Sequence, residues 1–325
     1  MDLSTTYLGL RLKTPFIVAS SELTDSVEKI MQHEKNGAGA VVLKSMFEEQ
    51  ILAESYTSAI SDMNESPDAF DYIQQYQAAH SAEKHLKLIE EAKKSVSIPI
   101  IASINCVSKS KWIDYTKSLE TAGADAIELN ISFLPTDMNI TGEEIEQRYI
   151  DIVQAVKQTV KIPVSLKLSP WFSSLPNMLY KFYIHKIDGF VLFNKFYHTD
   201  VNINTPELSV GSIFSDPGDF HHSLRYIGLM SGAIKADFAA STGIHTPETA
   251  IKLLLAGAKA VELASILYKK GSEYLLVMKE GLEKWMEEKN YSSLEEAIGI
   301  CSFKNIKNPN GYSRIQFMKY FAKIQ

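Results

Sequence analysis

Four polar side chains in this chain stand at or near the ends of short apolar runs. Lys44 follows Ala40–Leu43, Asn130 follows Ala126–Leu129, Lys167 lies near the end of Pro163–Leu168 and Asn194 follows Gly189–Phe193. If each run is a strand of one sheet, side chains alternate along it and the four groups meet at one mouth. Two ammonium groups beside two amides suit a planar heterocycle with carbonyl and imide edges that gains negative charge on reduction, as a flavin does. Lys167 would stabilise charge at the pyrimidine side of such a ring, Lys44 would bridge ring and substrate, and Asn130 and Asn194 would offer amide donors and acceptors to the substrate. A lysine at a strand end also suits a Schiff base with a phosphorylated carbonyl substrate, so the residues alone leave Lys167 open between two chemistries. For any one such lysine, a satisfied structural role is the plainer reading.

An anion site is expected beside them, within Ala236–Gly271. The run Asp237–Ala240 ends in Ser241-Thr242-Gly243 and gives way to a helix with Thr246 as N-cap, Pro247 at its first position and Gly257 as its stop. Ala260–Leu263 follows and ends in Ala264-Ser265. Two successive strand ends with small residues and helix starts can offer backbone N–H groups to a phosphate.

The elements that must hold these residues alternate. From Phe16–Ala19 onward eight short apolar runs recur, with helical stretches between them, including His80–Ser95, Lys111–Ala122, a helix opened by the capping box Thr141/Glu144, and Ser223–Ala233. Parallel strands need such crossovers, and eight of them predict an α/β (β/α)8 barrel. Leu3–Tyr7 and Leu10–Lys13 flank a glycine turn and predict a hairpin across the barrel bottom. Glu54–His80 and Tyr197–His222 are long polar segments and candidate lids. The tail has its own capping box, Ser293/Glu296, and a predicted last helix over Tyr312–Ile324. One domain over residues 1–325, with 291–325 as a C-terminal extension, is expected.

Composition bounds the function classes. With 33 basic and 39 acidic residues interleaved and a net charge of −6, a nucleic-acid surface is not expected. Cys106 and Cys301 are the two cysteines, which argues against a disulfide framework, a zinc site or an iron–sulfur cluster. His221-His222 lacks a carboxylate or cysteine at ligand spacing, so no metal is expected. No signal peptide or membrane span is read, and a reducing cytoplasm fits.

Several stretches, in order, resemble the dihydroorotate dehydrogenase family, of the soluble class without an N-terminal membrane helix. They are TTYLGLRLKTPFIVAS, LKS at Leu43–Ser45, ELNIS at Glu128–Ser132, SLKLSP at Ser165–Pro170, LFN at Leu192–Asn194, and ASTGI with ELAS. The resemblance spans roughly residues 1 to 300 and rests on the ordered set. It implies a small-molecule substrate and hydride transfer to N5 of FMN, in the conversion of dihydroorotate to orotate in pyrimidine biosynthesis. It implies FMN with its phosphate at Ser241, Thr242, Gly243, Ala264 and Ser265, and with Ala19, Ser20, Lys44, Ser45, Asn130, Lys167 and Asn194 around ring and substrate. It also implies catalytic roles for Lys44, Asn130, Ser132, Lys167 and Asn194, and a homodimer. The sequence does not name the electron acceptor.

The strand-4 loop departs from the family, which has asparagine, an apolar residue, serine, then a cysteine or serine that takes the substrate's proton, then proline and asparagine. Here it reads Asn130-Ile131-Ser132-Phe133-Leu134-Pro135, with a phenylalanine at the base position. The asparagine-rich loop expected after strand 2 is not recognisable, Asn64 standing alone. Ser132, Cys106, Tyr72 and His198 are candidate replacement bases. A related flavoenzyme with another substrate, a Schiff-base aldolase-like barrel using Lys167, and a non-catalytic flavin-binding protein are the alternatives.

Overall fold

The computed structural model describes residues 1–47, 82–106, 112–196 and 198–314. The predicted lid Glu54–His80, with Asn64 and Tyr72, falls wholly outside them. So do Tyr197 and most of the predicted last helix, of which only a short turn, Asn310–Ser313, is described.

In chain order the elements are β1 (Thr5–Tyr7), β2 (Leu10–Leu12), β3 (Phe16–Val18), α1 (Val27–Lys35), β4 (Ala40–Val42), β5 (Met46–Phe47), α2 (Ala82–Ser95), β6 (Ile100–Cys106), α3 (Trp112–Thr121), β7 (Ala126–Ile131) and α4 (Gly142–Thr159). They continue with β8 (Val164–Leu168), α5 (Leu175–Ile184), β9 (Gly189–Leu192), β10 (Thr199–Asn202), β11 (Glu207–Val210), α6 (Phe220–Met230), β12 (Asp237–Ser241), α7 (Pro247–Ala256), β13 (Ala260–Leu263), α8 (Ser265–Lys270) and α9 (Tyr274–Lys289). The strands β4-β3-β13-β12-β9-β8-β7-β6 lie side by side, all parallel, and the β4–β6 pairing closes them into a (β/α)8 barrel.

Alternation along each strand divides the buried residues into two sets. One parity packs against the helices, as Ile127, Leu129 and Ile131 of β7 do. The other points inward, where Ile17, Ala40, Val42, Ile101, Ala126, Val191, Ala239 and Ala260 meet Tyr7, Leu8 and Leu12 of the N-terminal hairpin. The hairpin therefore plugs one end of the barrel. Gly189 lets the hairpin approach closely at that end: a Cβ there would lie 2.5 Å from Leu8 Cδ2 and 3.2 Å from Asp237 O, and Leu8 would have to shift.

The local signals hold at helix ends. Thr141 and Glu144 form the predicted capping box of α4, Thr246 caps α7, and Gly257 ends α7 in the left-handed region with φ of 119°. Ser293 and Glu296 also form a capping box, but on a single 3-10 turn. Two expectations are corrected. The segment Tyr197–His222 contains the antiparallel hairpin β10–β11, whose residues are largely exposed and so lack the half-buried alternation that marks a strand. The helix expected over Ser223–Ala233 runs from Phe220 to Met230, so His221 and His222 lie, exposed, in its first turn.

Candidate functional site

At the barrel end opposite the hairpin, a cavity of about 430 Å³ opens between the strand ends, within the size range of cofactor sites. Of the expected residues, Ala19, Ser20, Lys167, Asn194, Ser241, Thr242, Gly243, Ala264 and Ser265 line it. Asn130 joins them by accepting a 3.1 Å hydrogen bond on Oδ1 from Asn194 Nδ2, and it sits beside Lys167 in the β7–β8 register. Ser45 joins through its hydroxyl, 2.9 Å from that of Ser20 and 2.7 Å from that of the fully buried Ser103. Lys44 lies at the rim, its Nζ 3.3 Å from Oε1 of Glu22, which lines the cavity.

The cavity lining includes a tight backbone turn. Thr242 and Gly243 carry consecutive positive φ values of 74° and 78°. Thr242 is held there by its hydroxyl, which donates to Phe193 O at 2.9 Å. Gly243 cannot carry a side chain, since its Cβ would overlap the backbone nitrogen of Phe220 and come within 2.9 Å of the Asp219 carbonyl carbon. Across the cavity, Ser265 Oγ accepts from Ser215 N at 3.0 Å, so the segment after β11 is fastened to the start of α8.

The floor carries charge. Lys167, 5 % exposed, places Nζ 2.7 Å from Glu262 Oε2 and 3.5 Å from Glu128 Oε1. Burial alone would lower this ammonium, but the carboxyl groups of Glu128 and Glu262 beside it outweigh burial and hold it above the ordinary lysine range. A lysine kept protonated is not a nucleophile, which removes the physical basis of a Schiff base at Lys167.

The Phe133 departure has a structural counterpart. Its backbone N–H donates to Tyr149 Oη at 3.2 Å, and its ring meets the Tyr149 ring edge-on at 4.8 Å between centroids. Phe133 thus packs toward the helices with the outward set of β7. Inward parity passes through Ala126, Glu128 and Asn130, and the strand ends at Ile131; the next residue, Ser132, is half-buried and is not among the residues that line the cavity. Among the other candidate bases, His198 is exposed, with both ring nitrogens 3.4 Å from Lys195 Nζ, and Cys106 ends β6 opposite Ile131 of β7.

Sequence reasoning missed Glu22, Glu262, Lys195, Phe214, Ser215 and Tyr268 in the lining and Glu128 beneath it. A carboxylate at an inward position of a short apolar strand was the available signal for Glu128 and Glu262. Phe214 and Ser215 lie in a loop without periodicity. Among the described residues no group of three or more metal-ligating side chains occurs, and no helix is long and apolar enough to cross a membrane.

Comparison with known proteins gives a concordant result. The family model described as dihydroorotate dehydrogenase matches residues 2–286. The chain is 28 % identical over 316 residues to the catalytic subunit of dihydroorotate dehydrogenase B (NAD(+)) from Thermoplasma volcanium, covering 92 % of this chain and 98 % of the relative. The protein of the same name from Pyrococcus furiosus is 27 % identical over 316 residues, with 93 % and 99 % covered. Its counterpart from Methanothermobacter thermautotrophicus is 26 % identical over 317 residues, with 92 % and 98 % covered.

Proposed function

Because this chain belongs to the dihydroorotate dehydrogenase family, we propose that it is an FMN-dependent oxidoreductase that oxidises the CH–CH bond of dihydroorotate or a closely similar ring. The observation that carries this reading is a single cavity with Lys167 and Asn194 on its floor and the Thr242–Gly243 turn at its edge. These residues fit the cofactor: an anion cradle that a Cβ would fill, and a fixed cation among amides. FMN bound here supplies the hydride acceptor.

The chain's own residues do the rest. Backbone around Ser241–Gly243 and Ala264–Ser265 holds the phosphate. Lys167 presents a permanent positive charge where negative charge builds, an electrostatic contribution that needs no reorganisation. Asn130 and Asn194, fixed by their mutual hydrogen bond, orient the substrate. Ser132, half-buried just beyond the end of β7, takes the substrate's proton in place of the family's residue at Phe133, and Lys44 bridges cofactor and substrate from the rim.

Riboflavin, which lacks the phosphate, tests the cradle. It should bind the ligand-free protein at least about 10²-fold more weakly than FMN, consistent with the loss of several charge-assisted hydrogen bonds. Equal affinities would remove the phosphate site.

We further propose a homodimer, supported by the apolar surface on and beside the β10–β11 hairpin, where Val201, Ile203, Leu208 and Ile213 are 56 %, 89 %, 78 % and 75 % exposed. Sedimentation of Leu208→Asp as a monomer beside a dimeric parent is the expected result. The three relatives described above are named as catalytic subunits of dihydroorotate dehydrogenase B (NAD(+)), so a partner chain that passes electrons to NAD⁺ is the first acceptor to test, in a cytoplasmic setting.

A further inference from the structure

Beneath the cavity floor, the barrel interior holds more negative than positive charge. Glu128 and Glu262 are 1 % and 2 % exposed, and both approach the one ammonium of Lys167. If both carboxylates were ionised, this buried site at the cavity floor would carry a net charge of −1. An uncompensated charge at such a depth is strongly disfavoured.

The hydrogen bonding points the same way. Oε1 of Glu128 and Oε1 of Glu262 are both buried without a hydrogen-bond partner, although the two carboxyl groups lie within hydrogen-bonding range of each other once one is protonated. With Lys167 Nζ 2.7 Å from Oε2 of Glu262 and 3.5 Å from Oε1 of Glu128, one ammonium serves two buried carboxyl groups, and one bound proton makes up the balance. The other polar groups turned toward this cluster, Tyr7 Oη from the hairpin and Ser165 Oγ from β8, are also buried and unpartnered, and neither carries charge at neutral pH. Burial, the charge of Glu262 and a hydrogen bond to it raise Glu128 well above the ordinary carboxylate range, against the opposing pull of Lys167.

We propose that Glu128 and Glu262 share one proton, with Glu128 as the neutral acid, so that Lys167 and Glu262 form a single ion pair and the cluster at the cavity floor carries no net charge. Glu128 and Glu262 are then positioning residues that act through Lys167. They fix its Nζ toward the floor, and the stored proton cancels a negative charge that would oppose reduction. Only the consequence for the flavin rests on the proposed function. The proton itself belongs to the ligand-free protein.

The test uses the full chain. Infrared difference spectra of the ligand-free protein near neutral pH, parent minus Glu128→Gln, should show the carbonyl band of one protonated carboxylic acid. A parent without that band overturns the proposal. In the FMN-loaded proteins, Glu128→Gln keeps the cluster neutral, so the ratio of affinities for reduced and oxidised FMN should stay within about twofold of the parent. The double variant Glu128→Gln/Glu262→Gln leaves an uncompensated cation and should favour reduced FMN by about tenfold or more. A tenfold rise already in Glu128→Gln would mean that both carboxylates were ionised, and would also overturn the proposal. Should Glu128→Gln fail to fold, the pH titration of the parent's own acid band decides. Failure to take up FMN would remove the flavin reading, and the infrared band would then decide alone.

Discussion

Replacing Lys167 by methionine removes the one ammonium between two buried carboxylates, 2.7 Å from Glu262 and 3.5 Å from Glu128. Methionine fills much of the lysine stem's volume, so electrostatics dominates the loss. Stranding one member of a buried pair costs about 3–5 kcal/mol. The loss must depend on pH, because the folded variant can bind one more proton. A carboxylate raised in the folded state above its ordinary value of 4.5 contributes stability that is fully present below 4.5 and is lost as pH rises toward its folded value. Each pH unit in that window costs about 1.4 kcal/mol per proton. Glu128 titrates in this direction in the parent too, so the difference between the proteins isolates the extra proton. The variant should fall below the parent by under about 1 kcal/mol at pH 5 and by about 3 kcal/mol at pH 7, which meets the figure for a broken pair. Urea unfolding of both ligand-free proteins, followed by circular dichroism at pH 5, 6 and 7, measures it. A gap of the same size at all three pH values would refute the reasoning, since it would assign the loss to packing.

Further outcomes follow from other parts of the structure. Gly243→Ala forces a Cβ against the backbone of residues 219 and 220 at a φ of 78°, and should cost about 2–4 kcal/mol in stability while weakening FMN binding, measured by unfolding and by fluorescence titration. An unperturbed variant would show that the turn is not fixed. Ser132→Ala should slow anaerobic bleaching of bound flavin by substrate about 10²-fold, whereas Phe133→Leu, which loses the edge contact with Tyr149, should cost about 1–2 kcal/mol of stability and leave bleaching within threefold. The reverse pattern in rapid-mixing experiments would return the base position to residue 133. His33 is buried, with Nδ1 2.8 Å from Ser272 Oγ and Nε2 2.9 Å from Leu23 O, and burial lowers it below its ordinary 6.5. Its contribution is therefore present above pH 6.5 and lost as pH falls from there toward its folded value, by up to about 1.4 kcal/mol per pH unit. His33→Gln should flatten that part of the stability profile, and an unchanged slope would assign it to other groups.

The barrel was legible because its signals are local. Short apolar runs, polar residues at their ends, the capping residues Thr141 and Thr246, and Gly257 at a helix stop each carry a backbone requirement that side-chain type alone meets. The part of the cavity lining at the strand ends was legible for the same reason: Lys167 stands next to the end of β8 and Asn194 just beyond β9, and strand ends define the mouth. The paired carboxylates escaped because Glu128 and Glu262 sit inside apolar runs, where only the parity of the closed barrel tells inward from outward. Their meeting with Lys167 joins positions 95 residues apart in the case of Glu262. The outward turn of Phe133 depends on a hydroxyl of α4 that no local pattern links to it. The β10–β11 hairpin escaped because its stability does not come from a buried face.

The most direct test of the central claim is the visible spectrum of the purified protein, loaded with FMN under anaerobic conditions, before and after addition of dihydroorotate. The predicted result is a flavin spectrum that bleaches on mixing. A spectrum that persists would contradict dihydroorotate as the substrate, and a protein that takes up no FMN would contradict the flavin site itself.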